Sequence, residues 1–213
     1  MKVFDLLEKI VDAKIIGPKP SFSKIHAANA LLVLGKERLI GRSTLAKRIN
    51  IGPGAVKTLV SRLKEENMII VRRGGIVLSR KGHKMYEEMI GKMPVFTRFD
   101  DGKLAISDHN MVAVVRGAAD EVSNGLRQRD SAITAGGFGA TTLIYKDDRF
   151  YIPPETAEHI DKYPNSVWER LKALNLKQGD VIIIVSADSD TKAELATLSV
   201  IWTLIKHDQA GHL

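Results

Sequence analysis

The sequence predicts a two-domain protein of mixed α and β structure (α+β or α/β). Residues 1–93 form a mainly helical domain carrying one β-hairpin, and residues 94–213 form a mixed α/β domain. Three observations lead to this division. The chain has 213 residues, 44% hydrophobic and 27% charged, which is long for one small domain and normal for folded protein. Charge separates at Met93-Pro94: residues 1–93 hold 19 Lys and Arg against 8 Asp and Glu, whereas residues 94–213 hold 13 against 17. Apolar spacing changes at the same place, from helical periodicity to short strand-like runs interleaved with helices.

The basic half begins with apolar residues at helical spacing from Val3 to Ile16. Gly17-Pro18-Lys19-Pro20 ends this pattern, because proline cannot continue a helix and pushes its predecessor toward extended geometry. Such a helix either pairs with its copy in a second subunit or packs within its own domain. Ser21 or Ser23 caps a second helix over Lys24–Leu34, apolar nearly all round, as a central bundle helix should be. After the connector Gly35–Gly41, Ser43 is the expected N-cap of a short helix, Thr44–Ile49. Asn50-Ile51-Gly52 makes a turn, and Pro53 suits the first position of the next helix, which runs to about Asn67. This spacing is that of a helix-turn-helix. The second of the two helices places Val56, Leu59, Val60 and Leu63 on one side and Lys57, Thr58, Ser61, Arg62 and Lys64 on the other. Short polar and cationic side chains opposite a buried face suit a DNA major groove. Met68–Arg72 reads as a strand, Arg73-Gly74-Gly75 as a reversal and Ile76–Leu78 as its return. Ser79-Arg80-Lys81-Gly82 then opens a helix through about Met89.

Over about 50 residues this half resembles the winged helix-turn-helix domains of prokaryotic transcriptional regulators. The resemblance is carried by Leu45-Ala46, Ile51-Gly52-Pro53-Gly54, Val56, Leu63, Glu66-Asn67-Met68-Ile69 and Leu78-Ser79-Arg80-Lys81-Gly82. Asn67 stands where such domains usually have glycine, and asparagine tolerates the same left-handed backbone. The resemblance implies Lys57, Thr58, Ser61 and Arg62 near bases or adjacent phosphates, and Arg72 and Arg73 on a wing that reaches the backbone or minor groove. It places Ser43 and Thr44 beside phosphate at the supporting helix. The implied partner is double-stranded DNA, and reading two half-sites implies a homodimer. Two other readings stand beside it: winged helices also dock proteins, and lysines on a helix face are often simply solvated.

In the acidic half, Thr97–Gly102 is a candidate linking strand, and Leu104–Ile106 and Met111–Val115 are expected strands. A helix over Glu121–Ala135, a strand over Ala140–Tyr145, a turn at Asp147-Asp148 and a partner strand Arg149–Ile152 follow. Beyond Pro153-Pro154 come helices over Glu155–Lys162 and Ser166–Leu174 and a strand over Val181–Val185. The last helix, Asp190 to about Lys206, is capped by Asp188, Ser189 or Asp190. Three features here could hold a small-molecule effector. Asn124, Arg127 and Gln128 share a helical face suited to a carboxylate or phosphate, unless Arg127 simply pairs with Asp130. Gly136–Thr142, including Thr141 and Thr142, is glycine-rich, but it precedes a strand rather than a helix and so is no P-loop. Asp188 and Asp190 lie between a strand's carboxyl end and a helix's amino end, where open α/β sheets place ligands and where helix capping alone also accounts for acids.

Enzyme signatures are thin. The chain has no cysteine, its six histidines lack ligand spacing, and neither a nucleophile elbow nor a dinucleotide fingerprint occurs. The sequence therefore assigns no catalytic residue, no metal site and no cofactor. No apolar run reaches a membrane span, and the acidic residues in MKVFDLLEKIVDAK make a poor signal peptide, so the expected location is the cytoplasm. Leu174–Val181 (LNLKQGDV) resembles a segment of archaeal CTP-dependent riboflavin kinases, which also place a winged helix before a second domain. That resemblance implies a small-molecule kinase or transferase as the alternative function. In layout the chain resembles an uncharacterised archaeal winged-helix family with a C-terminal α/β domain of unknown function, over Asn124–Thr142 and Gly179–Asp190. The expected function is a DNA-binding transcriptional regulator whose second domain senses a small molecule or mediates assembly.

Overall fold

A computed structural model describes residues 2–12, 20–100, 104–154 and 165–205. The fold is mixed α+β, and the chain separates after Met89 into two compact units. The first unit contains α1 (Lys2–Asp12), α2 (Lys24–Lys36), α3 (Arg42–Arg48), α4 (Pro53–Glu65), the antiparallel hairpin β1 (Ile69–Arg72) and β2 (Gly75–Leu78), and the start of α5 (Arg80–Lys92). α2 is its centre, with every residue from Ala27 to Leu34 buried. α1 buries Val3, Phe4, Leu7 and Ile10 against the same unit, packing on α2 and α4. This is the packing within its own domain that was one of the two roles open to the first helix.

Local chemistry accounts for the helix ends. Asn50 (φ 54°) and Asn67 (φ 56°) take left-handed backbone after α3 and α4. In each case the next residue's N–H reaches back into the helix, Ile51 to the Ala46 carbonyl and Met68 to the Leu63 carbonyl. α3 starts earlier than expected: Gly41 is its N-cap and Ser43 lies inside its first turn. The cause is Ile40, which bridges to Ile76, so the chain leaves the hairpin and turns at once into helix. Ser79 caps α5, its hydroxyl accepting from the Gly82 N–H at 3.0 Å. Gly82 is required there because a Cβ would stand 2.0 Å from the Met68 carbonyl oxygen. The Leu-Ser-Arg-Lys-Gly run is thus the joint that seats α5 against the strand leading into the hairpin.

The second unit is a five-stranded sheet, wholly antiparallel, in the order β3 (Val95–Arg98), β4 (His109–Val115), β7 (Asp180–Ala187), β5 (Gly139–Lys146), β6 (Arg149–Tyr151). Every residue of β7 is buried, which suits a central strand covered on both faces. Ile182 and Ile184 join Val112, Val114, Leu143 and Phe150 in a core with Val167, Trp168 and Leu171 of α7 (Asn165–Lys172). α6 (Leu126–Thr134) and α8 (Asp190–Trp202) also pack on the sheet and on each other.

Several expectations change here. Leu104–Ile106 is not a strand: Leu104 and Ala105 are buried in loop, and the Ile106 N–H donates to the Ser186 hydroxyl at 3.0 Å. The partner of β4 on that side is β3 instead. The expected Glu121–Ala135 helix splits into a 3-10 turn, Ala119–Glu121, and α6, because Gly125 takes φ 75° at the N-cap. Ser189 caps α8. The expected helix over Glu155–Lys162 lies outside the described residues.

Candidate nucleic-acid interface

Gly52 is the extended N-cap of α4 and Pro53 its first residue, so α4 leaves the α3 turn in a defined direction. It buries Ala55, Val56, Leu59, Val60 and Leu63 and exposes Lys57, Thr58, Ser61 and Lys64. Thr58 donates to the Gly54 carbonyl at 3.2 Å and Ser61 to Glu65 at 3.0 Å. These are weak exposed bonds that a phosphate or base edge could replace. Beside α4, Ser43 and Thr44 lie exposed in the first turn of α3. A groove of roughly 620 Å³ runs between the two helices, with Arg42, Ser43, Lys47 and Lys57 on its rim.

Arg72 and Arg73 sit exposed at the tip of the hairpin. The reversal is tighter than expected: Arg72 pairs with Gly75, leaving Arg73-Gly74 as a two-residue turn with Gly74 at φ 99°. Gly75 belongs to β2, where a Cβ would come within 2.7 Å of the Ile40 carbonyl oxygen. A second concavity of roughly 440 Å³ opens between this hairpin and α3, lined in part by Arg42, Ser43, Val71 and Arg72. Spacing alone had not singled out Arg42, Lys47 and Arg48, all exposed on α3. Their signal was available in the sequence as three cations on a seven-residue helix.

Arg62 leaves the expected set. It is only 9% exposed, and its guanidinium donates to the carbonyls of Ile10 (2.7 Å) and Val11 (2.8 Å). It also lies 5.6 Å from the centroid of the Phe22 ring. The side chain therefore satisfies carbonyls at the C-terminal end of α1, where a cation is favoured. Its place seven residues after buried Ala55 was the sequence clue that it lies at the edge of the apolar face.

The ligand-binding expectations in the second unit do not converge. Asn124 precedes α6 and accepts from the Leu126 N–H at 3.1 Å, so it shares no helical face with its neighbours. Gln128 is buried and donates to Thr203 at 2.9 Å, while Arg127 is exposed. Asp130 is paired with Arg129, not Arg127. Gly136 (φ 92°) ends α6, with the Gly137 N–H on the Ala132 carbonyl, so the glycine-rich stretch is a helix C-cap. Thr141 donates to the Leu104 carbonyl at 3.2 Å. Thr142 is buried, its hydroxyl without a hydrogen-bond partner among the described residues.

Asp188 and Asp190 are separately engaged. Lys192 lies 2.5 Å from Asp188 and holds its carboxyl below the usual carboxylate range, chiefly through that hydrogen bond. Asp190 lies 3.1 Å from Arg98 and 2.9 Å from His109. The crevice rule that drew attention to these acids applies to parallel strands, whereas β7 is antiparallel to both neighbours. Among the described residues, no three His, Cys, Asp or Glu side chains converge closely enough to hold a metal ion. The LNLKQGDV run has a structural account of its own. Asp180, fully buried, accepts from Arg116 and from the Lys177 and Gly117 amides, with Asn175 (φ 55°) and Gly179 (φ 78°) shaping the turn.

Residues 106–204 match the sequence profile of a family described as a domain of unknown function (DUF4443). No curated protein matches the chain. Among solved structures, the chain is similar to "Hypothetical protein PH0730 from Pyrococcus horikoshii OT3". The two are 23% identical with a TM-score of 0.69, over 86% of this chain and 93% of that one. At that identity the likeness establishes a shared fold. No helix among the described residues is long and apolar enough to cross a membrane.

Proposed function

We propose that the first unit is a winged helix-turn-helix module that binds duplex DNA, with α4 in the major groove and the β1–β2 hairpin as wing, in a transcriptional regulator. One observation carries this reading: Lys57, Thr58 and Ser61 lie exposed on α4 of the strongly basic half, and that same unit carries Arg72 and Arg73 exposed at its hairpin tip. In this reading Lys57 and the α3 cations contact phosphate, the hydroxyls of Thr58 and Ser61 approach base edges, and the wing arginines follow the backbone. The second unit then serves sensing or assembly.

Fluorescence anisotropy with mixed-sequence duplex DNA across a salt series tests it. Affinity should fall steeply with salt. The double variant Arg72→Ala, Arg73→Ala should flatten the log–log slope by about 2, close to 0.9 for each lost phosphate contact. Duplex affinity that is absent or independent of salt refutes the reading. A second reading, protein docking, draws on exposed Leu39 (49%), Ile70 (41%) and Val71 (44%), the last two on the hairpin itself. It is favoured if Val71→Ser abolishes binding to a protein partner while the wing arginines prove dispensable for DNA.

A further inference from the structure

α6 turns a self-complementary face to solvent. Its buried side is Gln128 (1% exposed) and Ala132 (0%), with Ser131 hydrogen-bonded to Ser199 at 2.9 Å. Opposite them, Leu126 (48%) and Ile133 (50%) are half exposed. Seven residues apart, these two lie within about 20° of each other around the helix. Arg129 and Asp130 flank this apolar ridge, about 50° to either side of it. Both are exposed, at 54% and 63% of their side chains, and their own mutual contact of 3.1 Å joins adjacent surface residues. A pair of that kind contributes little and is easily exchanged for another partner.

We infer that this face binds a second copy of the chain, with the two α6 helices parallel about a two-fold axis that runs along them. In that arrangement Leu126 meets Leu126 of the second copy, and Ile133 meets Ile133. The two-fold also carries the Arg129 side of one helix onto the Asp130 side of the other, so two opposite-charge contacts form, one on each flank. The antiparallel alternative sets Asp130 against Asp130 and Arg129 against Arg129, which like charges disfavour. Charge placement therefore selects both the occupant and its direction. One two-and-a-half-turn helix against its copy is a small contact, so the dimer is weak, with a Kd on the order of micromolar. The inference rests on α6 alone and holds whether or not the first unit binds DNA. Two-half-site recognition would make use of it.

Sedimentation equilibrium of the full chain without DNA, over roughly 1–200 µM, reads the association directly. Wild-type protein should move from monomer to dimer across that range. Ile133→Asp should leave it monomeric. Arg129→Asp and Asp130→Arg should each weaken association about tenfold, and the double exchange should restore it, because the opposite-charge pairs return with sign reversed. The three substituted residues are at least half solvent-facing, and circular-dichroism melting should confirm that each variant remains folded. A wild-type monomer throughout, a dimer indifferent to Ile133→Asp, or a double exchange no better than the single ones overturns the inference.

Discussion

Replacing Arg62 by methionine separates a structural arginine from a DNA-contacting one. The substitution keeps most of the aliphatic length but removes the guanidinium, leaving the Ile10 and Val11 carbonyls without their donor at the end of α1. Two hydrogen bonds from a charged donor are lost, each contributing about 1.5 kcal/mol or more. The contact with Phe22 adds about 0.5–1 kcal/mol. Methionine's packing offsets part of this, so the expected loss is about 2–3 kcal/mol. For a unit of this size that lowers the melting temperature by on the order of 10–15 °C. Urea unfolding of the full chain, followed by circular dichroism, should show the midpoint of one transition move while the other stays in place. Below the transition, duplex binding should be unchanged. Arg62→Lys should recover only part of the stability: both bonds come from one guanidinium nitrogen, Nη1, and lysine's more strongly hydrated ammonium costs more to bury in its place. If Arg62→Met leaves stability intact and instead weakens duplex binding, the structural assignment of this side chain is refuted.

Two further perturbations test the first unit. Gly82→Ala forces a methyl group to within 2.0 Å of the Met68 backbone oxygen, so α5 must shift. The expected cost is about 2–3 kcal/mol, measurable as a lower urea midpoint, whereas Gly91→Ala, with no neighbouring atoms, should be neutral or slightly stabilising. His26 supplies a pH test. Its Nδ1 accepts from the Ser23 N–H at 3.0 Å, and burial lowers its pKa from the ordinary 6.5. Above 6.5 the ring is neutral in both states and its stabilisation is complete. As pH falls through 6.5 the unfolded chain takes up a proton that the folded chain resists, so stability declines until the lowered folded-state value is passed. Melting temperatures between about pH 7.5 and 5.5 should therefore fall for wild type and less for His26→Gln, which can close the same capping box without titrating.

Features set by neighbours in sequence were legible in the chain. The turn at Asn50, the left-handed asparagine at 67, Pro53 opening α4, the hairpin around Gly74 and the apolar runs of β4 and β7 all follow from backbone preference and periodicity. So does the exposure of Lys57, Thr58 and Ser61, whose positions oppose four buried apolar residues on a regular helix. Features set by distant contacts were not legible. Nothing within a helical turn of Arg62 shows that the end of α1, some 50 residues earlier, stops beside it with two carbonyls to satisfy. Leu104 and Ala105 are as apolar as a strand, yet they close a loop over the sheet. Asn124, Arg127 and Gln128 looked like one face only while α6 was taken to begin before Gly125.

The sequence by itself determined where helices and strands could form, where they had to end and which half carries the positive charge, because those depend on local sterics, alternation and composition. Tertiary structure decided which polar side chains remain available to a partner. It buried Arg62 and Gln128, paired Asp188 with Lys192, committed Asp180 to a turn, and left the faces of α4 and α6 uncovered. The physical reason is that burial is a property of what packs opposite a residue, and for an antiparallel sheet ordered β3-β4-β7-β5-β6 the opposing residues lie far away in the chain.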